Sequence, residues 1–252
     1  MSNSQAILSE IEIMLKEQQL DFDRLTHLDW IRQRSEGKVF SMSEHIRALI
    51  YSQLSSNRPW KQIESSIDRI DEIFFHYDKE KILETRPEYF TEKTLAIKCG
   101  NRGIRKQMEA LHFNIRKFER IEREFGTLDS FVTSGSPLEI ADLLANSLKY
   151  KLGAVGLPLA LEYLRNVGID AAKPDIHIRR VLGSKRLAYS KTELAGEIEA
   201  VEIIDSMASE IGCTAAYIDA ILWLFCSDGN AMICTENPHC DRCRLHGTYC
   251  RR

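Results

Sequence analysis

The chain has 252 residues, 44% of them apolar, a formal net charge of -3 and a pI near 6.2. That length suits one large domain or two small ones with a sizeable core. The mild acidity excludes a protein that coats nucleic acid through bulk charge, so any nucleic-acid site must be a local patch.

The N-terminus, MSNSQAILSEIEIMLKEQQ, has no basic stretch and mixes Glu through its apolar run. It reads as neither a signal peptide nor a membrane span. The expectation is a soluble cytoplasmic protein, nucleoid-associated or nuclear in a eukaryote, with no membrane partner. Apolar residues three and four apart then predict helices over 9–25, 43–56, 60–77 and 103–125. The same period recurs over 138–152, 157–168, 175–183, 192–212 and 214–227. Strand alternation is nowhere sustained, and Gly and Pro punctuate the periodic runs. The expected class is all-α, with roughly ten helices in one or two bundles.

Within this frame, Leu152-Gly153-Ala154-Val155-Gly156 separates two helical runs. Glycines around a small apolar pair permit a tight turn with free amides at the start of the next helix, and Pro158 suits its first turn. Free amides at a helix N-terminus attract a phosphate. The segment looks like a helix-hairpin-helix grip on a DNA backbone, with an ordinary αα-hairpin as the plainer account. Gly153, Val155, Gly156 and Leu157 would supply the contact.

Next comes Lys173-Pro174-Asp175-Ile176-His177-Ile178-Arg179-Arg180-Val181. Pro174 pushes Lys173 toward extended geometry, and Asp175 falls where an N-cap belongs. A carboxylate fixed at a helix's positive end can also stabilise a sugar cation or activate water. The cap and the chemical role are compatible.

Two groups of basic residues stand out. Arg102, Arg105, Lys106, Arg116, Lys117, Arg120 and Arg123 interleave with Glu109, Glu119, Glu122 and Glu124, the pattern of a solvated helix with ion pairs. Lys149, Lys151, Arg179, Arg180, Lys185 and Arg186 flank the hairpin and the aspartate, where DNA contact, Arg179 included, stays open beside the solvated reading.

The tail closes on Cys234, Cys240, Cys243 and Cys250, spaced C-x5-C-x2-C-x6-C. Four thiols in so short a run are what one Fe–S cluster or one tetrahedral zinc needs. Spacing alone does not choose between iron and zinc. The odd total of seven cysteines points to a metal site in a reducing compartment over a disulfide framework. Arg242, Arg244, Arg251 and Arg252 make this loop basic.

The order of hairpin, Pro-Asp-x-His and terminal four-Cys loop resembles the endonuclease III-like helix-hairpin-helix (HhH-GPD) DNA glycosylase superfamily. The resemblance covers roughly residues 40–252 and rests on the order of motifs more than on the residues between them. It implies a two-lobed helical fold. Residues 40–168 would form a six-helix-type bundle ending in the hairpin. Residues 1–39 and 169–252 would form a second lobe with the cluster loop 234–250.

The resemblance also implies an enzyme. It would flip a damaged or mismatched base out of double-stranded DNA and hydrolyse its N-glycosidic bond, acting as a monomer. Asp175 maps onto the family aspartate. The four cysteines would hold a [4Fe–4S] cluster, with zinc the alternative. Tyr51-Ser52-Gln53-Leu54-Ser55 fits the family turn that fills the gap left by the flipped base, with Tyr51 in a serine place; Gln53 and Leu54 inherit that role.

Two departures matter. The family's Schiff-base lysine after the hairpin is replaced by Leu157-Pro158, which predicts a monofunctional enzyme without strong lyase activity. The first hairpin glycine is Ala154, with Gly153 one place earlier. These departures keep a second reading open, a non-catalytic binder of DNA damage or DNA structure on the same scaffold. Tyr51, Trp60, His45, Tyr150 and His177 are candidates to line a base pocket. Residues of these types more often fill core or surface positions.

Overall fold

A computed structural model of the protein describes residues 2–20, 25–56 and 60–250. In chain order its helices are α1 (Asn3–Glu17), α2 (Thr26–Ser35), α3 (Met42–Leu54), α4 (Trp60–Glu64) and α5 (Ile67–Ile73). There follow α6 (Lys79–Glu84), α7 (Pro87–Ala96), α8 (Ile104–Glu109), α9 (Leu111–Phe125) and α10 (Leu128–Val132). The last are α11 (Pro137–Asn146), α12 (Leu157–Arg165), α13 (Ile176–Val181), α14 (Glu197–Ile211) and α15 (Ala215–Cys226). The described residues form no strand, so the class is all-α. None of these helices alone is long and apolar enough to cross a membrane.

Several predicted helices are shorter than their apolar period. The run 60–77 breaks at Ser65-Ser66, where the Ser65 hydroxyl bonds the Gln62 carbonyl at 3.1 Å, a local bond that competes with the helix. The run 138–152 stops at Asn146. Ser147 turns extended (ψ 142), and its hydroxyl accepts the Tyr150 amide at 2.9 Å.

The chain divides into two bodies, one of Gln33–Ile169 and one of Met1–Arg32 with Asp170–Arg252. In the first body, α3 packs against α12, and α12 against α11. Ile46, Leu49, Ile50 and Leu54 bury the apolar stripe of α3 completely. The helix starts in a capping box, Ser41 with Glu44, which satisfies two amides that the first turn would leave open.

A polar network runs through the same core. The Arg34 guanidinium grips both oxygens of Asp129, at 2.6 and 3.0 Å. Phe40 N donates to Asp129 Oδ1 at 3.2 Å. The buried His45 pairs its Nδ1 with the Tyr163 hydroxyl at 2.6 Å. Its Nε2 lies 3.6 Å from Asp129, too long for a hydrogen bond. Burial holds the His45 pKa below the ordinary value, and the Asp129 carboxylate offsets this only in part. For Asp129, burial alone would raise the pKa. The His45 ring and the Arg34 guanidinium outweigh it and hold the carboxyl well below the usual range.

In the second body, α1, α13, α14 and α15 share one core of Ile7, Ile11, Leu15, Ile178, Val181, Ile204, Ile218, Leu222 and Phe225. Cys234 and Leu245 of the terminal loop belong to that core. α15 is apolar nearly all round, as a helix enclosed by its neighbours must be.

Candidate functional site

The hairpin is built from residues the periodicity alone does not reveal. Asn114, on α9 and fully buried, takes the Gly153 amide on its Oδ1 at 2.6 Å and donates its Nδ2 to the Gly153 carbonyl at 3.1 Å. A Cβ at Gly153 would lie 2.8 Å from the Ala110 Cβ, so the close approach requires glycine. Ala154 has φ +57 and is the left-handed residue of the turn. The turn therefore sits at Ala154, although the better residue for it stands one place earlier. Gly156 is extended (φ -102, ψ 177) and caps α12, with Pro158 in the first turn. The amides of Val155, Gly156 and Leu157 have no acceptor among the described residues.

Ala154, Val155 and Gly156 line a shallow pocket of about 420 Å³ together with Gly103, Lys106, Gln107 and Lys151. Open amides and two ammonium groups on one concave surface suit an oxyanion such as a phosphate. The sequence reading placed Lys106 on a solvated helix face; the fold brings it to the hairpin. By contrast, Lys149 is paired with Glu124, and Lys117 donates to the Lys149 carbonyl at 2.7 Å. Those two lysines brace the loop.

Gln53 connects to this surface through its backbone. Its carbonyl accepts from Asn101 Nδ2 at 2.7 Å and Gln107 Nε2 at 3.4 Å, and Gln107 lines the pocket. The Gln53 side chain is fully buried, and neither amide atom has a hydrogen-bond partner among the described residues. Leu54 is also fully buried and in this conformation offers no surface to a duplex. The Tyr51 hydroxyl donates to Asp71 at 2.9 Å, a carboxylate it shares with Tyr77. Burial, first of all, pushes the Tyr51 pKa up. Tyr51 and His45 are thus engaged in the core.

Asp175 is the N-cap of α13. Its Oδ1 accepts the amides of His177 at 2.8 Å and Ile178 at 3.1 Å. The side chain is half-buried and the next residue, Ile176, is exposed. The approach to Asp175 is pinned on α15 at both ends. Asp170 takes the Ala215 and Ala216 amides at 3.2 and 2.9 Å, and buried Asp219 takes the Lys173 amide at 3.0 Å. Oδ1 thus holds the helix start, and Oδ2 has no hydrogen-bond partner among the described residues. Arg179 is otherwise committed. Its Nε donates to the Ala195 carbonyl at 2.7 Å, and Glu197 lies 3.6 Å from its Nη1.

The four cysteines of the tail form no disulfide among the described residues, with Cys234 buried and the others half-buried. The loop hangs on α15 through the Cys234 amide, bonded to the Phe225 carbonyl at 3.3 Å. Burial raises the Cys243 thiol pKa and nearby Cys234 and Cys250 add to it, while the Leu245 and His246 amides act against it. Amides directed at a sulfur favour the thiolate a metal needs. The donor set has the chemistry of a metal–tetrathiolate centre. Among the described residues, however, no three His, Cys, Asp or Glu side chains stand close enough together to hold a metal ion. Cys226, fully buried at the end of α15, lies against Cys234; burial and that neighbour raise its thiol well above the ordinary value. Arg244 is paired with Glu17 of α1, so this loop arginine is tied to the protein. Arg251 and Arg252 lie outside the described residues.

No family model matches the sequence, and no curated protein matches it significantly. Two solved structures share its fold. One is the 8-oxoguanine glycosylase/lyase of Methanocaldococcus jannaschii, in complex with DNA containing 8-oxoguanine. It has a TM-score of 0.57 and 20% identity over 87% of this chain and 96% of that one. The other is the 8-oxoguanine DNA glycosylase of Thermotoga maritima, with a TM-score of 0.58 and 20% identity over 91% of this chain and 99% of that one. The helical architecture is thus that of these DNA glycosylases.

Proposed function

We propose that this protein is a base-excision DNA glycosylase. Its partner would be double-stranded DNA carrying a damaged or mismatched base, and its reaction the hydrolysis of that base's N-glycosidic bond. The observation that carries the reading is Asp175. It is a half-buried carboxylate fixed by two amides in a chain whose hairpin offers open amides beside Lys106 and Lys151. The fold shared with two 8-oxoguanine glycosylases supports it and makes 8-oxoguanine the first lesion to assay.

In this reading the hairpin amides and the two lysines hold a backbone phosphate. Gln53, next to them through Gln107, fills the space of the extruded base once it leaves its burial. Base flipping costs a few kcal/mol, offset by such contacts. Asp175 stabilises positive charge on the sugar or orients water at its anomeric carbon. Cys234, Cys240, Cys243 and Cys250 would hold a [4Fe–4S] cluster that pins the tail to the core of α1, α13, α14 and α15. A cluster on unbridged cysteines suits a reducing cytoplasm, and the enzyme would act as a monomer.

We further propose that it is monofunctional. Leu157-Pro158 opens α12 where a Schiff-base lysine would stand, and no lysine follows until Lys173. The Methanocaldococcus jannaschii neighbour is a glycosylase/lyase, which favours the opposite, so the test must separate the two. The protein is incubated with a panel of duplexes bearing 8-oxoguanine, alkylated purines, oxidised pyrimidines and mismatches. Base release without borohydride-trapped covalent complex is expected. Release with trapping makes the enzyme a lyase. Binding with no release leaves a non-catalytic binder.

A further inference from the structure

Two large apolar side chains stand in solvent near the hairpin. Phe113, on α9, is 53% exposed, and Leu148, in the loop that leads into the hairpin, is fully exposed. A single exposed apolar residue needs no explanation, but Phe113 is tied to the hairpin by the residue that builds it. It directly precedes Asn114, whose amide holds both the N–H and the carbonyl of Gly153. Its Cδ1 lies 3.6 Å from where a Gly153 Cβ would stand. From Gly153 to the open amide of Gly156 is at most roughly 11 Å of chain. Phosphates of one DNA strand follow each other every roughly 3.4 Å along the helix axis, so the ring stands within a few nucleotides of a phosphate held there.

The surroundings of the pair are basic. The Lys117 ammonium lies 5.2 Å from the Phe113 ring centroid and donates to the Lys149 carbonyl at 2.7 Å. Leu148 adjoins Lys149, and Lys151 lines the hairpin pocket. Such a surface suits a partner that is anionic and apolar by turns. A DNA strand is one, with charged phosphates separated by deoxyribose rings that present carbon faces. We infer that Phe113 and Leu148 form an apolar rim of the hairpin that packs on deoxyribose of the strand whose phosphate rests on the amides. Continuity with the pocket names this occupant, because Gly153 belongs to the same turn as Ala154, Val155 and Gly156, which line it. Sugar contacts carry no sequence information, so the rim strengthens binding to damaged and undamaged duplex alike. The inference rests on the glycosylase reading above and adds to it a contact that salt does not screen.

The test measures affinity of the full chain for an 8-oxoguanine duplex and an undamaged duplex, by fluorescence anisotropy over a range of salt. Phe113→Ala should weaken binding to both by about tenfold and Leu148→Ser by about threefold. The slope of log affinity against log salt should stay at the wild-type value, since no charge is removed. Phe113→Leu, which keeps an apolar surface, should restore most of the affinity. Leu148→Ser alters a fully exposed side chain and carries the test if Phe113→Ala does not fold. Wild-type affinity in both Phe113→Ala and Leu148→Ser would overturn the rim. A lowered slope would overturn it too, showing that the loss comes from displaced lysines. Sedimentation of the same proteins closes the remaining route: a wild-type dimer that the variants break, with DNA affinity kept, gives this face to a second copy of the chain and overturns the rim. Wild-type protein that binds neither duplex fails the glycosylase reading itself, and the rim falls with it.

Discussion

Ala154 shows what one residue can cost at a tight turn. An L-residue in the left-handed region is strained by roughly 1–2 kcal/mol, and Ala154 stands there at φ +57. Glycine would remove that strain but adds roughly 0.4–1 kcal/mol of unfolded-chain entropy. The strain is the larger quantity. Ala154→Gly should therefore raise the thermal midpoint, measured by circular dichroism, with DNA affinity kept. A fall in the midpoint would show that the turn is relaxed. Asp175 is the complementary case, since one oxygen caps α13 and leaves the other uncommitted among the described residues. A cap is worth about 1 kcal/mol, so a substitution that retains a capping oxygen separates structure from chemistry.

At the scale of elements, the hairpin and the start of α8 act together. Lys106 and Lys151 reach the pocket from two segments. If both neutralise phosphate, Lys106→Gln and Lys151→Gln should each weaken binding to any duplex sequence. Each should also reduce the slope of log affinity against log salt by about one. An unchanged slope would remove these lysines from the interface.

Most of these elements were legible in the chain. The 3.6-residue period marks α3, α12 and α15, and Pro174-Asp175 before an apolar run marks the cap of α13. What was not legible depends on distant partners. Asn114 holds Gly153 from 39 residues away, and Asp219 holds Lys173 from 46; no local pattern carries such pairings. One signal was present, a lone Asp inside the apolar helix AAYIDAILWLFC, since a buried acid needs a donor. Helices α6 and α7 escaped because each buries one large apolar side chain, Ile82 and Phe90, and so shows no apolar period. Gln53 and Leu54 matched a motif, but their burial follows from packing that a motif does not encode.

At the scale of the molecule, the buried network of Arg34, His45, Asp129 and Tyr163 ties the 33–169 body to pH. Because the native His45 pKa is depressed, the unfolded chain takes up a proton below about pH 6.5 that the native chain does not. Stability falls as pH drops through that window, by at most about 1.4 kcal/mol per pH unit. Asp129, also depressed, contributes above about pH 4 and loses its contribution in stronger acid. Urea midpoints at pH 7.5 and 5.5 should therefore differ in wild type, and His45→Gln should flatten the difference although its midpoints are lower. An equal pH dependence in the variant would show that His45 is not the titrating group.

The central claim, that Asp175 performs glycosidic cleavage in this glycosylase fold, is tested most directly by single-turnover base release from a lesion-bearing duplex. Asp175→Asn keeps an oxygen to cap α13 but loses the charge. The account predicts duplex binding and thermal stability close to wild type, with release slowed by at least about 100-fold. Release by Asp175→Asn at the wild-type rate would contradict it.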